Sequence, residues 1–563
     1  MKNTYVKNTI ILFVSMVISK IVGAVFKIPL TNILGGIGMG YYSTAYSLYT
    51  PVFAMTAAAV PTVIIKAVAD NIALRRFANA QKVLRTAVVI FGATGLIGTA
   101  AILALARPFS DTVAQSPQSV WGIIAIAPSV FLCCISSVYK GYYEGCCNMM
   151  PSAVSQVAES VCRAVTGLSV SHLIIEYGMI CYAGGERVFG VIAGSESEAV
   201  DIIMPYAAAG AVLAVTVSEL CALVCLLVRK KVCKRIIDTS AGDTSTDRVA
   251  VIAKRLIKSC IPVSAAIVVN LSSFIDLITI PRCLNFALSS DPGYFTASFS
   301  DIIKAQGGAV RLANFMYGSY TGLSWTMFML IPSFTAMFGR SALPQIAGAW
   351  TLGNRKEFER KVTVVLRSNF VIGFPLYLGL SAMSRQILEF LFSGRQQEVT
   401  VSATSLFILG LGGVFLTLSS TFISIFQVIG RSDLPVKLML PGCAVKLIFN
   451  VFTISVPAIN INGAAVSTVI MYAAVALGGY FALENVTGID FHIIRRMAAP
   501  LSAGIVCAVV SRIVYGFVRE SVNAVTALFL PIASGGAVYI ILLIIFNEIN
   551  IKSLLNRQKR KKF

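Results

Sequence analysis

Apolar residues in this chain come in long blocks, separated by short polar stretches rich in Lys, Arg, Gly and Pro. A bilayer-spanning helix needs about 20 mostly apolar residues, and about fourteen such blocks can be laid along the sequence. They run over 6–33, 40–68, 86–106, 119–143, 151–174, 203–228, 252–280, 312–338, 362–383, 400–427, 437–457, 461–483, 497–517 and 523–547. The pattern predicts an all-α polytopic membrane protein. Composition agrees: 56% of the 563 residues are hydrophobic, 13% are charged, and the mean hydropathy is +0.80, more apolar surface than a soluble domain needs. The first block is too long for a cleavable signal and carries Lys20 and Lys27.

The blocks repeat. Pro61 and Pro344 are 283 positions apart, Arg85 and Arg367 282, and Pro151 and Pro435 284. Gly145-Cys-Cys-Asn-Met-Met-Pro151 has a counterpart in Gly430-Arg-Ser-Asp-Leu-Pro435, a turn followed by Pro in the first helical turn. Ile28-Pro29 matches Ile280-Pro281 at the smaller offset of 252, and a longer connection over 282–311 makes up the difference. The expected organisation is two six-helix lobes, 1–228 and 252–484, joined by a basic linker over 229–251. A terminal helix pair over 485–547 and a basic tail over 548–563 follow. An even number of spans per lobe makes the repeats parallel, around a central cavity.

The net charge of +21 invites a nucleic-acid reading, but its distribution argues against one. Most Lys and Arg cluster in alternate loops: Arg75 to Arg85, Arg229 to Lys258, Arg355 to Arg367, Arg495-Arg496 and Lys552 to Lys562. The positive-inside rule then places both termini in the cytoplasm of a multi-pass protein of the cell membrane. The 13 cysteines lack metal-ligand spacing, and two histidines, His172 and His492, exclude a His-rich metal site. No Gly-x4-Gly-Lys-Ser/Thr phosphate loop is present, so the chain brings no ATPase of its own.

A charge at the bilayer centre costs about 2.5–3.5 kcal/mol, so embedded charges should face protein or water. Arg163 and Lys446 occupy the same repeat position, which points to a cavity for an anion. Lys20 and Lys27 are two turns apart on one helix face, and Glu159 and Arg163 stand at i and i+4. Asp276 is the acidic residue deep in the seventh span. Tyr46 and Tyr49 follow two tyrosines suited to the membrane interface and are candidates for stacking on sugar rings. Lys66 and Arg340 lie where they can snorkel, and Glu219 and Arg512 are assigned a structural role. The candidate cavity residues are therefore Lys20, Lys27, Arg163, Lys446, Glu159, Asp276, Tyr46 and Tyr49, with no catalytic group and no metal.

Several stretches resemble the stage V sporulation protein B family. They are Ser19-Lys20-Ile-Val-Gly23 through Lys27-Ile-Pro29, and Ala59-Val-Pro61 through Lys66 to Asp70. Lys140-Gly-Tyr-Tyr-Glu144-Gly145 continuing to Pro151, Gln156, Glu159 and Arg163 is a third, and Tyr317-Gly-Ser-Tyr-Thr-Gly322 a fourth. That family is similar to the polysaccharide exporters and lipid II flippases of the multidrug/oligosaccharidyl-lipid/polysaccharide (MOP) superfamily. The resemblance implies two lobes around a cavity, two further helices forming a lipid-tail groove, and alternating access. It also implies movement of a lipid-pyrophosphate-linked oligosaccharide, the peptidoglycan precursor lipid II, across the cytoplasmic membrane of a Gram-positive-type bacterium. Lys20 matches a cavity cation of the flippases; their arginines of the second and eighth spans have no clear counterpart, with Tyr320 or Thr321 near the latter.

On this reading the partners are the lipid-linked oligosaccharide, membrane lipids and cell-wall synthesis proteins. No cofactor is expected; a coupling ion, Na+ or H+, or the membrane potential would supply the drive. Two competing functions are a multidrug/cation antiporter of the same fold, which needs a mainly acidic cavity, and a membrane glycosyltransferase. The latter would use loop carboxylates such as Glu196, Glu198, Asp291 and Asp301.

Overall fold

The structure is a computed structural model and describes residues 2–57, 60–232, 246–264, 271–305, 311–332, 346, 348–350, 352–431, 433–520 and 523–546. Arg340, Pro344, most of the basic linker and the basic tail lie outside these residues. Among the described residues there is no strand, only an isolated bridge between Val188 and Val191. Helices are the form a chain this apolar must take, because each backbone N–H and C=O is satisfied within its own segment.

The first compact unit, Met1–Gly318, holds α1 (Lys2–Thr56), α2 (Val60–Ala73), α3 (Phe77–Pro108), α4 (Val120–Gly145), α5 (Met150–Ala183) and α6 (Glu196–Val232). It also takes in α7 (Val249–Ser264), α8 (Leu271–Ser290), the short α9 (Pro292–Ser298) and α10 (Ser300–Ala305), and α11 (Leu312–Ser319) up to Gly318. The second, Ser319–Phe563, holds α12 (Arg355–Ala382), α13 (Ser384–Leu391), α14 (Gln396–Val428), α15 (Asp433–Ile454), α16 (Asn462–Thr487), α17 (Ile493–Val518) and α18 (Ala524–Ile545). A wide π turn over Tyr320–Trp325 leads on from α11.

Twelve helices among the described residues are long and apolar enough to span a membrane. The first candidate, Val14–Ile72, takes in both blocks expected at 6–33 and 40–68. It bends at Gly35, whose φ of 60° and ψ of −171° suit glycine alone. The block expected at 312–338 runs into residues that are not described, so fourteen spans are not counted here.

The connection expected over 282–311 is largely helical instead. The eighth helix continues to Ser290, and Asp291 then caps α9 by accepting the Tyr294 N–H at 3.0 Å, with Pro292 in the first turn. Pro281 lies inside α8, at a position where a proline ordinarily signals a helix end. In the second unit, aromatic side chains including Phe370, Phe374, Phe422 and Phe426 fill a core between α12 and α14. The terminal pair α17–α18 packs on α12, where the Tyr539 hydroxyl donates to the Val371 carbonyl at 2.8 Å.

Candidate functional site

In the first unit, α4, α5 and α6 pack mutually and against α1, and their facing sides carry charge. Glu159 and Arg163 lie one turn apart on α5 and pair at 2.7 Å, as the i, i+4 spacing predicts. Lys140 of α4 approaches the second Glu159 oxygen at 3.1 Å. From α6, the Ser218 hydroxyl accepts from Arg163 Nε at 3.3 Å, and Glu219 Oε1 stands 3.9 Å from the guanidinium. Glu219 is buried, and its Oε2 has no hydrogen-bond partner among the described residues.

Local sequence explains how Lys140 reaches this place. A Cβ on Gly141 would sit 2.8 Å from the Pro61 carbonyl, so glycine lets α4 lie against α2 at that level. The turn after α4 has Cys147 at φ 57° and leads to Pro151 in the first turn of α5, which brings Glu159 back beside Lys140. Two cations and two carboxylates make a set whose formal charges cancel. Desolvating any one of them alone is costly, so each depends on the others.

Aromatic groups extend the set along α1. Lys27 Nζ lies 4.8 Å above the Tyr42 ring, a cation–π arrangement. Tyr42 packs against Tyr46 at 4.8 Å between centroids, and Tyr46 meets Tyr49 edge-on at 6.0 Å. Tyr42 and Tyr46 are within electrostatic reach of Arg163. The first unit thus brings together Lys27, Tyr46, Tyr49, Glu159 and Arg163. No carboxylate among the described residues pairs with Lys27 within ion-pair distance.

The other candidates sit elsewhere. Lys20 is exposed on α1, beside Ser19, whose hydroxyl donates to the Gln156 carbonyl at 3.2 Å. Asp276 is buried on α8, within electrostatic reach of Tyr317. Lys446 belongs to the second unit, fully buried on α15, with its Nζ 5.6 Å from the Trp325 ring centroid in the π turn. One turn further, Asn450 accepts from the Ser467 hydroxyl.

Sequence reasoning missed two members of the charged set. Lys140 entered only within a resembling motif, and Glu219 was assigned to structure. Neither is a helical neighbour of Arg163, so only the packing of three helices reveals them. Of the loop carboxylates, Asp291 is occupied as a helix cap and Glu198 accepts the Gly194 N–H at 2.9 Å.

Residues 5–280 match the family model described as polysaccharide biosynthesis protein. The chain is 24% identical over 562 residues to stage V sporulation protein B of Bacillus subtilis (strain 168), covering 97% of this chain and 96% of that protein. It is 21% identical over 561 residues to the lipid II flippase MurJ of the same organism, covering 96% and 95%. A multidrug resistance MATE family transporter of the MOP superfamily, solved in its inward-facing conformation, superposes with a TM-score of 0.62 at 15% identity, covering 84% of this chain and 96% of that one. The chain is a multi-pass membrane protein homologous over nearly its full length to stage V sporulation protein B and to MurJ, and it shares its fold with the MATE transporter.

Proposed function

We propose that the protein is a flippase that moves an undecaprenyl-pyrophosphate-linked oligosaccharide, in the first instance lipid II, from the inner to the outer leaflet by alternating access. The observation that carries this reading is full-length homology to a lipid II flippase, joined to cations held within apolar helices. A pyrophosphate entering the membrane needs positive partners there. Lys27 supplies one without having to leave a carboxylate. Arg163 supplies another when it exchanges Glu159 for phosphate, with Lys140 left to hold Glu159. Lys20 and Lys446 are further cations assigned to the substrate's path and Asp276 a carboxylate assigned to it, while Tyr46 and Tyr49 offer ring faces to sugars. Both termini are assigned to the cytoplasm, so an inside-negative potential favours outward movement of the anion by about 2.3 kcal/mol per charge per 100 mV. The named relatives with a stated activity are a flippase and a transporter, not enzymes.

The test is reconstitution of the full chain in vesicles with fluorescent lipid II and with a second undecaprenyl-pyrophosphate glycan. Transbilayer movement above that in protein-free vesicles is expected. No movement of either substrate overturns the reading. The similarity to a multidrug transporter favours one rival, a drug/cation antiporter. Ethidium efflux in a pump-deficient strain, without glycan movement, would establish that rival instead.

A further inference from the structure

The second unit contains a crevice of about 520 Å³ that the proposed transport cycle does not use. Its floor is α12, which packs against both α14 and α17, and those two helices form the walls. Each wall contributes one helical stripe: Thr400, Thr404, Phe407 and Leu411 from α14, and Ile505, Val509 and Arg512 from α17.

The stripes are graded along the membrane normal. Helices α12 and α17 finish, and α14 begins, at the same end of the crevice. Polar groups gather at that rim: Ser384 and Arg385 of α13, Thr400, and Arg512. Leu378, Phe407, Leu411, Ile505 and Val509 line the deeper part, and the last four are 45–51% exposed. The positive-inside assignment, with Arg495-Arg496 at the cytoplasmic start of α17, opens the crevice to the outer leaflet.

Arg512 is the decisive residue. It lies six residues before the end of α17, about 9 Å inside it, is exposed, and makes no hydrogen bond or ion pair with any described residue. A guanidinium this near a helix end can reach the headgroup layer, where lipid phosphates are its natural partners. Arg385 stands at the same rim, and its Nε donates to Glu389 at 2.8 Å, which leaves the terminal nitrogens open to a second acceptor.

We propose that this crevice binds the phosphate headgroup of an acidic glycerophospholipid of the outer leaflet, with Arg512 and Arg385 on the phosphate and the acyl chains along Phe407, Leu411, Ile505 and Val509. The rim matches phosphate and offers no aromatic face to a sugar, which favours a phospholipid over a glycan carrier. The bound lipid fastens α17 to α12 and α14. This site stands independently of what the protein transports.

Native mass spectrometry of the purified full-length protein tests it, with phosphatidylglycerol, phosphatidylcholine of the same chains, and undecaprenyl pyrophosphate added separately and in competition. The tightest-bound lipid of the wild type should be phosphatidylglycerol, retained about tenfold better than phosphatidylcholine, as expected for charge-assisted contacts. The double variant Arg385→Gln, Arg512→Gln should retain one phosphatidylglycerol fewer, and Arg512→Lys should keep most of the preference. Both side chains are exposed, so monodisperse elution of the variants confirms folding. Equal retention of the two phospholipids, or a preference unchanged in the double variant, overturns the proposal. So does displacement of phosphatidylglycerol by undecaprenyl pyrophosphate at equal concentration.

Discussion

Arg163 and Lys446, 283 positions apart and matched in the repeat expected from the sequence, live in different chemistry. Arg163 is bound into a set with Glu159, Lys140, Ser218 and Glu219, and 29% of its side chain stays accessible. Lys446 is completely buried, and its ammonium faces the ring of Trp325. A repeat conserves where a helix places a residue, while the neighbours that decide what the residue can do come from other helices. The first cation is stabilised by opposite charge and can exchange partners. The second sits on an aromatic face, where a cation–π contact contributes about 2 kcal/mol when desolvated.

The largest expected effect follows from breaking the charged set. Arg163→Met leaves Glu159 and Glu219 facing a single lysine, and removing one partner of a buried pair typically costs 3–5 kcal/mol, or about 3 kcal/mol here because the arginine is partly accessible. Thermal unfolding of the purified protein reads that loss. Adding Glu159→Gln to Arg163→Met should recover a large part of it, since the excess negative charge goes with the carboxylate. Equal stability of the single and double variants would show that the four groups are not coupled.

Lys446→Met tests the second position mainly through function. It removes the ammonium that faces the Trp325 ring, and glycan movement in the vesicle assay should fall about tenfold if one charge-assisted phosphate contact is lost. The lost cation–π contact should cost about 2 kcal/mol of stability, less than Arg163→Met. Trp325→Leu, which keeps the cation and removes the ring, should cost about 1–2 kcal/mol of stability. A Lys446→Met variant that loses stability as heavily as Arg163→Met would erase the distinction between the two positions.

How much of this the sequence carried depends on the distance over which each feature is decided. Helices are written locally, and the apolar blocks placed nearly all of them. The Glu159–Arg163 pair is also local, one turn on one helix, and was legible for that reason. Lys140, Ser218, Glu219 and Trp325 meet their partners only after helices pack, so no spacing announces them. Segment 282–290 was misassigned by the same logic in reverse. The proline at 281 reads as a helix end, and only the Asp291 cap and Pro292 mark where the helix truly stops.

A surface ion pair sets the scale against which the buried set should be measured, and it predicts the smallest effect. Outside the spanning segments, Arg76 and Asp247 meet at 2.8 Å with side chains 25% and 22% accessible. Asn79 donates to the same carboxylate at 3.2 Å and accepts the Asp247 N–H at 2.9 Å, tying the end of the basic linker to the α2–α3 turn. The hydrogen bond from Arg76, with that from Asn79, holds the Asp247 carboxyl below its usual pKa. Its contribution is therefore fully present above the ordinary carboxylate range and is lost as pH falls through the lowered folded value. Solvent screening limits it to at most about 1 kcal/mol. Asp247→Asn should lower thermal stability by no more than that at pH 7, and the difference from wild type should shrink as pH falls below the ordinary carboxylate range and through the lowered folded value. The difference should also shrink in high salt, whereas the penalty of Arg163→Met, which leaves Glu159 and Glu219 only 15% and 6% accessible within spanning helices, should stay. If salt erased both penalties equally, the charged set around Arg163 would be as open to water as the loop pair, and its isolation inside the first unit would be refuted.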